Sequence, residues 1–304
     1  MNKKFASASI LMAGTLWGII ALFVRGLNAN GFESMEIVAL RGFGALLLMS
    51  AGLLIYDRTL FKIKLKDIWC FVGTGVLSLT FFNLCYFRTM MLTSLSVAAI
   101  LLYTAPTIVV VLSAFLFKEK ITVKKIVCLC VAFLGCAFVT GIFTEGGSDL
   151  SWQGILVGLG AGLGYALYSI FGRYAIERGY STFTISFYTF LFSSIGTLPL
   201  VKLGHIREVI VESDGMKCVL LLLGFALIST VLPYLLYTIG LTQVENGKAS
   251  IMASIEPVVA TLLGIFVYGE NLTVQGTIGI LLVLGAIVFL NMNEKSNETD
   301  CSEK

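Results

Sequence analysis

Charge is scarce in this chain. Asp, Glu, Lys and Arg make up 13% of its 304 residues, about half the share found in an ordinary soluble protein. A soluble chain of this length could not hide the 57% of its residues that are hydrophobic, so lipid is the solvent for most of it. There is one histidine, His205, in a charged loop, and we assign it no chemical role. No basic run is interleaved with aromatics, which argues against nucleic acid as a partner. No ATP-binding motif is present. Clustered acids, or His beside Ser or Cys, are missing too, which argues against a polytopic membrane enzyme. The loops are too short to offer a partner domain, as a scaffold or sensor would need. Seven cysteines are present, but most fall in apolar stretches. Cys128 and Cys130 point to different sides of a helix with no histidine nearby, so they read as small buried hydrophobes and no metal site is expected. Nothing points to a cofactor.

Long apolar runs fill the rest, and a run of about 20 residues crosses a bilayer as a helix. Ten are expected, at 5–24, 34–55, 68–87, 96–117, 123–143, 152–174, 182–201, 216–239, 249–268 and 273–292. The basic start MNKKFASASI resembles a signal peptide, but its long apolar run reads as a first span that stays in place. The hydrophilic end, 293–304, is expected to be a disordered tail. With the N-terminus in the cytoplasm, fifteen Lys and Arg fall in inside loops and five in outside loops. This bias places both termini in the cytoplasm.

One stretch occurs twice. YFRTMMLTSLSVAAILLYTAPTIVVVLSAFLFKEKIT, residues 86–122, is echoed 151 residues later by YTIGLTQVENGKASIMASIEPVVATLLGIFVYGENLT. Tyr86, Ala98, Ile100, Pro106, Phe115, Glu119 and Thr122 meet Tyr237, Ala249, Ile251, Pro257, Phe266, Glu270 and Thr273. A second offset, of 148, pairs Gly14 with Gly162, Trp17 with Tyr165 and Arg25 with Arg173. Such self-similarity marks a duplicated unit. The expected fold is therefore an all-α membrane protein of ten transmembrane helices, built as two five-helix repeats over 5–143 and 152–292 with a linker at 144–151. An odd number of spans per repeat inverts the second repeat relative to the first, the architecture of secondary transporters.

The segments SVAAILLYTAPTIVVVLSAFLFKEKIT and KASIMASIEPVVATLLGIFVYGENLT, with AGTLWG in the first span, Arg25 just after it and ALRG around Arg41, resemble the EamA-type transporters of the drug/metabolite transporter superfamily. The resemblance covers about residues 5–292. It implies a ten-helix inverted repeat around a central cavity, and transport of a small organic molecule across the cell membrane. Many members export amino acids and other metabolites, so export of such a compound by alternating access is the expected activity, with uptake by the same fold as the alternative.

Seven residues are candidates for contact with a cargo. Glu256, in mid-span before Pro257, stands where the first repeat has Ala105. A carboxyl at that depth faces the bundle interior or a water-filled cavity. It would serve a substrate amine or carry a coupled proton, or only satisfy backbone donors at the break. Arg41, a third of the way into the second span, is a carboxylate anchor, or half of an ion pair with Glu36 or Glu256 as partner, or snorkels to the outer surface. Trp17 and Tyr165 lie too deep for an interfacial belt, so they line a cavity or pack a core. Tyr103, Tyr168 and Asn83, with Tyr188, add polar handles. Tyr86 and Tyr237, near span ends, are expected in the interfacial belts. Pro106 and Pro257 each remove a backbone donor, and matched helix breaks mark a transporter's binding region. Glu119 and Glu270 are expected at helix junctions, each ahead of a capping threonine. The glycine series at 158, 160, 162 and 164, with Gly14 and Gly18, is a surface for close helix approach.

Overall fold

The computed structural model describes residues 2–142, 151–212 and 215–292. The tail at 293–304 and all of the expected linker but Ser151 lie outside the described residues. Every regular element described is helical. Nine helical segments are long and apolar enough to cross a membrane among the described residues. The fifth expected span, at 123–143, forms a shorter helix of 17 residues, Val123–Val139.

The first repeat contains α1 (Lys3–Gly18), α2 (Ile20–Ala29), α3 (Ser34–Tyr56), α4 (Ile68–Val72), α5 (Phe81–Leu92), α6 (Leu95–Leu102), α7 (Ala105–Phe117) and α8 (Val123–Val139). The second contains α9 (Trp152–Glu177), α10 (Thr182–Thr197), α11 (Leu203–Glu212), α12 (Gly215–Ala226), α13 (Leu232–Leu241), α14 (Asn246–Ala253), α15 (Glu256–Tyr268) and α16 (Val274–Asn291). The packing is reciprocal. Helix α5 lies along α9 as α13 lies along α1, and α8 pairs with α16.

Glycine makes the closest of these approaches possible. A methyl group built on Gly14 would stand 2.6 Å from Ile255 Cγ2, and one on Gly162 2.5 Å from Thr104 Oγ1. The two glycines are repeat mates, and each lets its helix press on a break in the other repeat. Those breaks fall at Tyr103–Thr104, between α6 and α7, and at Ser254–Ile255, between α14 and α15. Pro106 and Pro257 sit in the first turn after each break, where a missing N–H costs no helical bond. The half-helices end on left-handed residues, Lys118 and Gly269. The following helices are capped by Thr122, which accepts from Lys125 N at 3.2 Å, and by Thr273, which accepts from Gly276 N at 3.0 Å.

Two further irregularities are also repeat mates. The third and eighth spans are wound as π-helix over Gly73–Thr80 and Leu227–Val231. Thr80 and Thr230 each donate to the carbonyl five residues back, Gly75 O at 3.2 Å and Phe225 O at 3.4 Å. Such bulges place irregular backbone at membrane depth, which is tolerated where protein or a cavity covers it.

Candidate functional site

The middle of the bundle is aromatic. The ring of Trp17 contacts Tyr165 edge-on, with centroids 6.2 Å apart, and lies 5.3 Å from both Tyr234 and Tyr237. Tyr168 meets Tyr234 at 4.9 Å. Hydroxyl groups tie the cluster together: Tyr168 to Thr238 at 2.7 Å and Tyr237 to Ser169 at 2.9 Å. Edge-to-face pairs contribute about 0.5–1.5 kcal/mol each beyond burial. That packing matters here, because lipid supplies no hydrophobic force between helices.

Two small voids open in this region. The first is lined by Trp17, Ser78, Phe82, Tyr165, Tyr168 and Tyr237, among others. The second lies between the breaks and is lined by Tyr103, Ala105 and Pro106 from one repeat and Ser250, Ser254 and Glu256 from the other. Tyr165 belongs to both. Each has room for about one water molecule, so an organic cargo enters only when the surrounding helices part.

Glu256 opens the first turn of α15 and points into the second void. Its side-chain partner is Tyr165, whose hydroxyl donates at 3.3 Å. A carboxylate there is also favoured by the N-terminal end of the helix dipole. Arg41 is 8% exposed. Among the described residues its guanidinium forms no ion pair or hydrogen bond; it lies over the ring of Phe225, 5.6 Å from the centroid. The ionisable groups within its electrostatic reach are Tyr234 and Glu256. Two buried hydroxyls on neighbouring helices, Ser194 and Ser229, have no partner among the described residues.

The structure thus brings Glu256, Trp17, Tyr165, Tyr103 and Tyr168 together around the two voids, with Arg41 beyond Tyr234. It does not bring Asn83 or Tyr188 to them: Asn83 donates to Leu79 O at 2.7 Å and Tyr188 to Phe61 O at 2.7 Å.

Three expectations change. Glu36 is not the partner of Arg41; its carboxylate is 1% exposed and binds His205 Nδ1 at 2.9 and 3.0 Å. His205 itself lies on helix α11 and not in a loop. Tyr237 is not a belt residue; it is 3% exposed, in the central cluster. Tyr234 and Ser78 were missed, and a repeat comparison could have found Tyr234, because it stands 151 residues after Asn83.

A model of the EamA-like transporter family matches residues 4–141 and again 152–292. A protein of Archaeoglobus fulgidus, described as an uncharacterized transporter, is 28% identical over 94% of this chain and 96% of its own length. YxxF of Bacillus subtilis, also an uncharacterized transporter, is 25% identical over 98% and 94%. One crystal structure superposes over the full length of both chains with a TM-score of 0.77 at 16% identity, a likeness of fold alone.

Proposed function

Because this chain belongs to the EamA-like transporter family, we propose that it carries a small zwitterionic metabolite, most simply an amino acid, across the plasma membrane. The observation that supports this is the pair Glu256 and Arg41. They are opposite charges enclosed in one bundle, within electrostatic reach of each other, yet not in contact. Ionisable groups at membrane depth need partners. An ammonium at Glu256 and a carboxylate at Arg41 would supply both at once, and the aromatic cluster between them would hold the apolar body of the cargo.

As a carboxylate Glu256 would hold a cargo ammonium; once protonated it is neutral and no longer pairs with one, so proton and cargo compete for it. That exclusion is the elementary condition for proton-linked exchange, so protons are proposed as the coupling ion. Cytoplasmic termini and repeat boundaries at 5–143 and 152–292 complete the reading, supported by the charge bias and the duplicated stretch; export rests on the family resemblance.

The test is counterflow in proteoliposomes with a panel of labelled amino acids and metabolites, preceded by a thermal-shift screen for ligands that stabilise the protein by mass action. An Arg41→Gln protein should lose transport of amino acids while keeping its melting temperature to within a few degrees. A Glu256→Gln protein should lose the pH dependence of exchange. Transport by Glu256→Gln with wild-type pH dependence would refute the coupling role; a panel in which only molecules without a carboxylate bind would refute the zwitterion.

A further inference from the structure

Glu119 closes one end of the bundle. Its carboxylate, 10% exposed, accepts from Asn246 N at 2.7 Å and Gly247 N at 3.1 Å. These are first-turn donors of α14, which have no partner within their own helix. A residue of the first repeat therefore caps the broken helix of the second. The junction is reinforced on every side. Arg173 donates to Asn246 Oδ1 at 3.0 Å and to Val244 O, and Asn246 donates to Ser113 Oγ at 3.2 Å. Lys125 bonds Glu245 and the Lys120 carbonyl and lies 3.9 Å from Glu119.

The repeat mate of this junction, at the opposite end, is not made. Glu270 corresponds to Glu119, and the first turn of α6, Leu95 and Ser96, corresponds to Asn246 and Gly247. Glu270 instead bonds Arg25 at 2.7 Å, and the two side chains are 50% and 52% exposed. Its carboxylate folds back over its own helix, onto Gly264, a position occupied by Ser113 in the other copy. Leu95 is 63% exposed where Asn246 is fully buried.

We propose that Glu119 and Glu270 are alternating latches: each is placed to cap the first turn of the opposite repeat's broken helix, and this conformation has the Glu119 latch made and the Glu270 latch open. Inverted repeats exchange conformations as the site changes sides. The complementary state then follows without new chemistry. Glu119 releases Asn246 and Gly247, and Glu270 leaves Arg25 for the backbone amides of Leu95 and Ser96. Backbone donors do not depend on sequence, so the cap survives although Asn246 is replaced by Leu95. The reinforcing side chains do depend on it. Lys125 has Gly276 as its mate and Glu245 has Ser94, so the Glu270 latch is the weaker and the state described here is favoured at rest. The proposal needs a two-state transporter but no particular cargo, and its test reads conformation without substrate.

The test is hydrogen exchange on the full chain in lipid nanodiscs. In the wild type, amides 95–99 should exchange faster than amides 246–250. In Glu119→Ala, exchange at 246–250 should rise about fivefold, the loss of one helix cap, and exchange at 95–99 should fall as the other latch closes. Glu270→Ala, altered at a half-exposed pair, provides a variant that folds; exchange at 246–250 should slow in it. A rise at 246–250 in Glu119→Ala with no change at 95–99 means a local cap and overturns the proposal. So does Glu270→Ala with wild-type exchange at 246–250.

Discussion

Gly162→Ala should unsettle the breaks from the far side of the helix that carries Tyr165. An added methyl at 162 would meet Thr104 Oγ1 at 2.5 Å and Leu101 O at 3.0 Å. Neither gives way easily. Thr104 Oγ1 is already tied to Leu101 O at 2.6 Å, and the carbonyl is backbone. Overpacking of this kind costs about 1–3 kcal/mol, against a helix-propensity gain of about 1 kcal/mol for Ala over Gly. The control is Gly160→Ala, two residues away. There the methyl would meet Cys85 Sγ at 3.3 Å and Phe81 Cζ at 3.6 Å, both side chains able to shift. It collects the same propensity gain with little strain. The two variants should therefore differ by about 1–3 kcal/mol, or roughly 2–6 °C at about 2 °C per kcal/mol for a chain of this size. Thermal melts of the full chain in one detergent would read this, with Gly162→Ala the lower. Because the strained segment carries Tyr103 and Pro106, transport should fall in the same variant. Gly162→Ala melting at or above Gly160→Ala would refute the close-approach argument.

Tyr237→Phe removes the bond to the buried Ser169 hydroxyl, which leaves an unpaired donor at a cost of about 1–3 kcal/mol. Adding Ser169→Ala should recover part of that loss in a melting double-mutant cycle, and full additivity would show that the bond contributes nothing. His205→Ala takes from Glu36 a partner 169 residues away in sequence. Glu36 keeps the amide of Glu33 at 3.0 Å, so a loss of about 1–3 kcal/mol is expected, smaller in His205→Gln. An unchanged melt in both would remove His205 from the account of that end of the bundle.

Much of this was legible in the sequence because lipid imposes simple rules. Span length follows from bilayer thickness, and backbone satisfaction forces helices. The fixed offset from Pro106 to Pro257 exposed the duplication, and with it the two breaks. What stayed hidden has physical reasons too. Hydropathy does not distinguish α from π winding, so GTGVLSLT read as ordinary span, although its small and hydroxylated residues are what let the backbone bulge. Tyr237 was placed at a membrane edge because the end of its span was set by apolar run length; the helix continues to Leu241. The pairing of Glu36 with His205 depends on α11 folding back across the bundle end. Its alternation is that of a ten-residue amphipathic helix with Ile206 and Val209 turned inward, too short for a span and easily taken for loop.

The two copies of the duplicated stretch also explain why the candidate chemistry is one-sided. The second void sits between both breaks, so it lies near the pseudo-two-fold axis. A site with equal chemistry on both sides of such an axis would present the same groups twice and suit a symmetric ligand. The lining residues avoid this. Glu256 faces Ala105, its own repeat mate, across the void, and Ser254 is matched by Tyr103. Ser250, also in the lining, is matched by Ala99. The carboxylate and both serines come from the second repeat, while the matching positions of the first carry Ala or Tyr. The prolines, the capping threonines and the glycine pair Gly14 and Gly162, which shape the backbone at the breaks, stay identical. Under the proposed function, duplication preserves the backbone breaks in both halves, while an asymmetric cargo requires that the residues facing it differ. Placing Glu at 105 and Ala at 256 (Ala105→Glu/Glu256→Ala) would test this reading. If the void only needs one carboxylate, exchange should survive; if Arg41, which has no basic mate, must face it from a fixed side, exchange should be lost while the fold melts within a few degrees of wild type.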